Sequence, residues 1–221
     1  MKSFVKAAIS VLQGTALCAA VVFATAGTFD YWQAWVFLAV VSVCGWITSG
    51  YFLYTNPSVL QRRLPAAETR SLQRLVVVAV FVLWAAMLTV SALDHRFGWS
   101  AVPAPISWAG NVLVATGMGL VGVVLVQNSH AAVTVRVAAG QHLVSDGLYG
   151  LVRHPMYTCN TLLLVGTPLA LGSYWGITLL GPGLAIFALR IRDEEELLQS
   201  ELEGYREYMQ QVRHRLIPGI W

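Results

Sequence analysis

The sequence predicts an all-α integral membrane protein with about four transmembrane helices, a C-terminal helical hairpin and a cytoplasmic amphipathic tail helix. Three observations carry this. Charged residues make up only 11% of the 221-residue chain, against roughly 25% in a soluble globular domain. Apolar residues reach 57%. The few charges are also unevenly spread, and Asp, Glu, Lys and Arg are absent from 7–29, 31–61, 75–93, 97–135 and 154–189. A disordered chain, which combines low hydrophobicity with high charge, is excluded. The net charge of +3 has no basic run that would suggest nucleic acid. Cys18, Cys44 and Cys159 lie in apolar stretches without CxxC spacing, which indicates neither a disulfide framework nor a zinc site.

The elements follow in chain order. A helix crossing the hydrocarbon core of about 30 Å needs about 20 apolar residues, and it satisfies its own backbone groups, as lipid demands. The first three gaps hold one such span each, at about 8–27, 33–54 and 74–93. A fourth lies near 107–127, between Pro103 and Pro105 on one side and Gln127-Asn128 on the other. Ala24-Thr25-Ala26, after Lys2, Lys6 and an apolar run, also resembles a signal-peptide cleavage site, but the run is longer than a usual signal core. The fifth gap is too long for one span. Pro168 and Leu171-Gly172-Ser173-Tyr174-Trp175-Gly176 interrupt it, predicting two helices, about 156–171 and 174–191, in a hairpin that need not reach far into the opposite leaflet. The tail helix is expected at about 193–213, opened by Asp193-Glu194-Glu195-Glu196 and closed by Arg213 and Arg215, as the helix dipole prefers. Leu198, Leu202, Tyr205, Met209 and Val212 form its apolar stripe, with Gly204 inside it. No linker divides the chain, so it reads as one membrane domain over 1–221, helices 1–4 in 1–127 and the polar loop, hairpin and tail in 128–221.

Positive charge in short loops orients such a protein. With the N-terminus in the cytoplasm, Lys2, Lys6, Arg62, Arg63, Arg70, Arg74, Arg136, Arg153 and the tail arginines lie inside and only Arg96 outside. The longer loops then face the cytoplasm, and so should the chemistry.

Two clusters could carry that chemistry. The first is QHLVSDGLYGLVRHPMY at 141–157, a polar loop between apolar helices. Pro155 suits a first helical position, and the N–H groups of that first turn would attract an anion. Tyr149 and Tyr157 offer aromatic faces to a base or a cation. A structural reading stands beside this one: Arg153 marks the inner membrane boundary, His154 caps the helix, and the tyrosines belong to an interfacial aromatic belt. The second cluster is Arg190-Ile191-Arg192-Asp193-Glu194-Glu195-Glu196. Arg190 and Glu194, four apart, share a helix face, although Arg before Glu is the less favoured order. Arg190 closes an apolar helix, where an anionic substrate group would justify it; snorkelling to the interface is the alternative. His130, His142 and His154 are too widely spaced for a local metal site. The Gly117-Met118-Gly119-Leu120-Val121-Gly122 stripe suggests a close helix contact rather than a phosphate loop.

From Asn128 to Pro218 the ordered set GLYGLVRHPMY (147–157), LGSYWG (171–176), RIRDEE (190–195) and GYREYMQQVRHRLIP (204–218) resembles the isoprenylcysteine carboxyl methyltransferase family, relatives of the phospholipid N-methyltransferases. The resemblance implies S-adenosyl-L-methionine as methyl donor, held in a cytoplasmic pocket without a Rossmann domain. It places cofactor contacts on Gln141, His142, Leu143, Val144, Tyr149, His154, Pro155, Met156, Tyr157 and Glu194, with Glu195 the alternative to Glu194. It places the substrate-contacting arginine on Arg190, so that Arg190 and Glu194 are the expected catalytic pair. The expected acceptor is lipophilic or small, such as a prenylcysteine-like carboxylate entering from the bilayer; no metal and no nucleic acid are expected. A carboxylate acceptor needs no general base, whereas a thiol or amine would need one, with His154 or Glu194 the first suspects. Two other classes remain: a membrane reductase of related architecture using NADPH, and a non-catalytic transporter or scaffold. The latter should show a charged intramembrane pathway, and the span centres carry no Asp, Glu, Lys or Arg.

Overall fold

The computed structural model describes residues 2–57, 59, 71–128 and 142–221. Arg62, Arg63, Arg70 and Arg136, used above to orient the chain, lie outside the described residues, as do His130 and Gln141. The protein is an all-α membrane protein, and no strand occurs among the described residues. Four long helices come first: α1 (Lys2–Ala26), α2 (Trp32–Thr55), α3 (Ser71–Phe97) and α4 (Ala104–Gln127). The hairpin follows as α5 (Pro155–Ala170) and α6 (Leu180–Glu201), and a short α7 (Tyr205–Gln211) ends the helical part. Among the described residues, five segments are long and apolar enough to span a membrane: Phe4–Ala26, Trp32–Thr55, Gln73–Phe97, Ala104–Gln127 and Trp175–Glu201.

Alternating helix direction brings the N-terminus, the loop before α5 and the tail to one end of the bundle, here called the site end. The 27–31, 98–103 and 171–179 connections gather at the far end. α1 packs on α2 and α3, α2 on α4, and α3 on α6, while the most extensive helix contact is α4 on α5. Glycine makes that last contact possible. A Cβ on Gly110 would stand 2.3 Å from the Ala170 backbone nitrogen, and one on Gly166 would stand 2.9 Å from the Gly110 carbonyl oxygen. Neither backbone can yield, so the two helices meet only because both positions lack a side chain. Gly117 belongs to the same seam, 3.0 Å from the Cys159 carbonyl by the same measure. Gly119, however, faces open space, and a Cβ on Gly122 would reach only Thr48 at 3.9 Å. The expected small-residue contact therefore exists, but it is centred on Gly110 and Gly166 rather than on 117–122.

The far end is closed by Asp94, whose side chain is fully buried. Its carboxylate accepts from the Ser100 amide (2.6 Å), the Ser100 hydroxyl (2.7 Å), the Ser173 hydroxyl (2.6 Å) and the Trp175 amide (3.4 Å). Tyr31, 1% exposed, donates to the Leu171 carbonyl at 2.6 Å and stacks on His95 with centroids 3.7 Å apart. Gly172, at φ +70°, ends α5 in the left-handed conformation glycine tolerates. The hairpin turn is thus tied to the ends of α2 and α3, so the hairpin reaches the far end of the bundle instead of stopping short. Pro168 sits within the last turn of α5 without interrupting the helix. Exposed Trp32, Trp35, Trp99, Trp108 and Trp175 surround this end, as an interfacial aromatic belt would.

The tail departs from expectation. The acidic run does not open a separate helix; it lies well inside α6, which continues to Glu201. The chain breaks at Leu202–Gly204, where Gly204 adopts φ +79°. Gly204 is therefore a hinge and not a costly residue within a helix. The apolar stripe survives the break. Tyr205, Tyr208 and Val212 still cluster with Leu198, Leu202 and Met209, and they pack on Leu143 of the polar loop. The acidic residues do not serve the helix dipole, because tertiary partners claim them instead.

Candidate active site

The site is built where the entry to α5 meets the middle of α6. Before α5, Gly147–Gly150 forms one 3-10 turn. Gly147 has φ +56°, and a Cβ there would fall 2.3 Å from the Gln127 amide nitrogen. Close approach lets Gln127 Oε1 accept from the Leu148 amide at 3.0 Å, fastening the loop to the end of α4. Asn128 donates to the Tyr149 hydroxyl at 3.2 Å, and the Tyr208 hydroxyl donates to the Tyr149 carbonyl at 2.6 Å. Tyr149 is thus held from both α4 and α7. Burial pushes its phenol up to about 12 against the lowering effect of Asn128, with Glu194 close enough to add to the rise.

Glu195 is the fastening of this end. Its Oε1 accepts from Arg153 Nε at 2.8 Å and lies 3.2 Å from His154 Nε2, while Oε2 accepts from Arg215 Nε and Nη2 at 2.9 and 2.8 Å. Both oxygens are consumed and the residue is 3% exposed. Arg153 also donates to the carbonyls of Val212 (2.8 Å) and Arg213 (3.0 Å). The Arg153 and His154 amides in turn donate to the His214 and Arg215 carbonyls at 2.9 and 3.0 Å. Loop, α6 and tail are therefore locked through one buried carboxylate. The expected anion-attracting helix start is corrected by the same contacts. The amides leading into α5 are taken by the tail, and those of Tyr157 and Thr158 return to the His154 carbonyl at 3.0 and 3.3 Å.

One residue earlier on α6 the arrangement changes. The Tyr157 hydroxyl donates to Glu194 Oε2 at 2.6 Å and accepts from Arg190 Nε at 2.8 Å. Tyr157 and Arg190 are buried, while Glu194 is half-buried. A phenol with one proton and an accepting oxygen fits between a cation and an anion without a second partner for either role. Arg190 and Glu194, four residues apart, are therefore linked through a residue of the neighbouring helix. Asp193, the next acidic residue, accepts from Gln73 Nε2 and ties α6 to α3. Three consecutive acids thus face three different neighbours, as the helical rotation of about 100° per residue requires.

The structure brings Tyr157, Arg190 and Glu194 into direct contact. Tyr149 and Leu143 join them through the tyrosines of α7. Val144 is half-buried, His142 is exposed, and Gln141 lies outside the described residues. Pro155 is buried as the first residue of α5, and Met156 turns toward Phe52, Val59 and Leu125. His154 is buried with its ring on Glu195. Gln127, Asn128, Arg153, Arg215, Tyr205 and Tyr208 also shape this end and were not foreseen as site residues. Arg153, Tyr205, Tyr208 and Arg215 stood in the quoted motifs, but nothing in their spacing reveals their partners.

Residues 106–203 match the family model described as phospholipid methyltransferase. The matched stretch holds the whole Arg190–Tyr157–Glu194 link and ends before α7. The chain is also similar to the cobalt-zinc-cadmium resistance protein CzcN of Cupriavidus metallidurans, 27% identical over 145 residues, which covers 65% of this chain and 66% of that protein. The match reaches further back than the motifs suggested, taking in α4, which forms the tight seam with α5 and fastens the loop. Within this all-helical membrane protein, residues 106–203 are thus similar to the phospholipid methyltransferase family.

Proposed function

We propose that the protein is an S-adenosylmethionine-dependent methyltransferase that works at the cytoplasmic face of its membrane on a lipophilic or small carboxylate acceptor. The observation that carries this reading is the Arg190–Tyr157–Glu194 link, which sets a guanidinium and a reachable carboxylate side by side within the matched domain.

The residues present fit a sulfonium nucleoside. Glu194 is half-buried, and one of its oxygens is held by Tyr157, so its carboxylate is oriented yet open to a ligand. Tyr149 stays a neutral aromatic surface because its phenol is pushed up to about 12. Leu143 and Val144 add apolar contact beside it. In this reading Glu194, Tyr149 and the 142–144 segment of the loop hold the cofactor. When bound, S-adenosylmethionine supplies a methyl group already activated on sulfur.

The chain's own task is then alignment and exclusion of water, and alignment alone can contribute several kcal/mol. In this reading Arg190 positions the acceptor carboxylate. Tyr157 keeps that guanidinium and the Glu194 carboxylate in register. An ionised carboxylate needs no base. For a thiol or amine, Glu194 is better placed to take the proton than His154, whose buried ring is engaged with Glu195.

Incubating membranes that contain the protein with methyl-labelled S-adenosylmethionine, followed by mass spectrometry of the extract, tests the function. Label in a base-labile ester is the expected result. Titration of the detergent-purified protein with S-adenosylhomocysteine and with NADPH tests the class. Saturable binding of NADPH alone would replace this reading with a reductase.

A further inference from the structure

The hydroxyl of Tyr205 is a buried polar group at the site end that the interactions above leave unused; Gln73 Oε1, on the amide whose nitrogen Asp193 holds, is another. Tyr205 is 3% exposed, and its hydroxyl has no hydrogen-bond partner among the described residues. A buried, unpaired hydroxyl is costly, by about 1–3 kcal/mol, and native proteins rarely keep one without a use. The surroundings of this one are specific. Its ring packs on Tyr208, centroids 5.7 Å apart, and Tyr208 grips the Tyr149 carbonyl. The same apolar cluster includes Leu143. Burial first, then the nearby Glu195 and Glu194 carboxylates, push the phenol well above its ordinary value, so it remains a neutral O–H beside Glu194. Glu195 cannot be the missing partner, since Arg153, His154 and Arg215 already occupy both of its oxygens.

We propose that the Tyr205 hydroxyl is a ligand-binding group of this site, making a hydrogen bond to a polar group of the bound nucleoside that no residue of the protein supplies in its absence. The inference rests on the methyltransferase reading and extends the site beyond the matched domain, which ends at residue 203, into α7. It also gives the hinge at Gly204 a purpose. A straight continuation of α6 would carry residue 205 away along the helix axis, whereas the left-handed turn at Gly204 folds α7 back against the loop.

The test is Tyr205→Phe in the full detergent-purified chain, with S-adenosylhomocysteine as probe. Two measurements are needed: affinity by isothermal titration, and the unfolding temperature without ligand. Loss of one neutral hydrogen bond should weaken S-adenosylhomocysteine by about three- to tenfold. The unliganded variant should melt no lower than the wild type, because the substitution removes a polar group that had no internal partner. A wild-type affinity in Tyr205→Phe would overturn the proposal. So would a lower unliganded melting temperature, which would reveal a partner within the protein, or an effect confined to the KM of the acceptor. If the wild-type protein itself fails to bind S-adenosylhomocysteine, the methyltransferase reading falls and this inference with it. Binding by the wild type with no change in the variant removes the inference alone.

Discussion

The two ends of the bundle are each closed by a buried carboxylate, and they solve the same problem differently. At the far end, Asp94 is surrounded by two serine hydroxyls and two backbone amides, all neutral. At the site end, Glu195 is surrounded by Arg153, His154 and Arg215. Both carboxylates are satisfied, as burial demands. The difference lies in the donors, neutral hydroxyls and amides around Asp94 but two guanidinium groups on Glu195. Asp94 and its donors form the staple between α3 and the hairpin turn, and beside it Gln33 Oε1 and the hydroxyls of Ser91, Ser107 and Thr167 are buried without a hydrogen-bond partner among the described residues. At the site end the Glu194 carboxylate is half-buried, and the Tyr205 hydroxyl is buried without a hydrogen-bond partner among the described residues.

Substitutions can break this comparison. The largest effect is expected for Glu195→Ala, which leaves Arg153 buried without its anion and unlocks the tail. Removing one partner of such a network costs about 3–5 kcal/mol, so thermal unfolding in detergent should show a large fall or a protein that no longer elutes as a single species. An unchanged melting profile would mean that Glu195 is not the fastening described here. At the far end, Asp94→Asn leaves at least one donor facing another donor and should cost about 1–3 kcal/mol. Its S-adenosylhomocysteine affinity should match the wild type once the protein is folded. A loss of affinity there would couple the two ends and undo the division between them.

The smaller effects on stability fall on the ligand side of the comparison. Glu194→Ala should lower the melting temperature only slightly, because Glu194 is half-buried and shares a single described hydrogen bond with Tyr157. A charged hydrogen bond to the ligand is worth about 1.5–3 kcal/mol, so S-adenosylhomocysteine affinity should fall by more than tenfold by calorimetry. Arg190→Ala should reduce labelled methyl transfer more than cofactor affinity. The reverse pattern, with affinity lost in the arginine variant and turnover lost in the glutamate variant, would exchange their roles.

The adjacent residues Glu194 and Glu195 show how far the sequence reaches. Either could have been the cofactor contact, since both lie in one acidic run. On a helix, neighbours point about 100° apart, so they meet different partners. For Glu195 these are Arg153, 42 residues back, and Arg215, 20 residues on. No local pattern contains those separations. The tail helix misread has the same origin. An apolar stripe at spacings of three and four is real, and the cluster it predicts exists. But periodicity cannot tell a straight helix from two helices folded about Gly204, because both bury the same residues. The hairpin's reach was equally unreadable, since it depends on Ser173 and Leu171 meeting Asp94 and Tyr31 from distant segments.

What the sequence alone determined is what depends on solvent and on neighbours along the chain. Charge-free runs define the helices that cross lipid, because each span must satisfy its own backbone. The chemistry-bearing residues stand out because polar side chains are few. Tertiary structure alone decided which of those residues are spent on closing the fold and which are not. That division is set by hydrogen-bond partners brought together from separate helices, and a buried donor or acceptor is satisfied or left open only once those helices are in place.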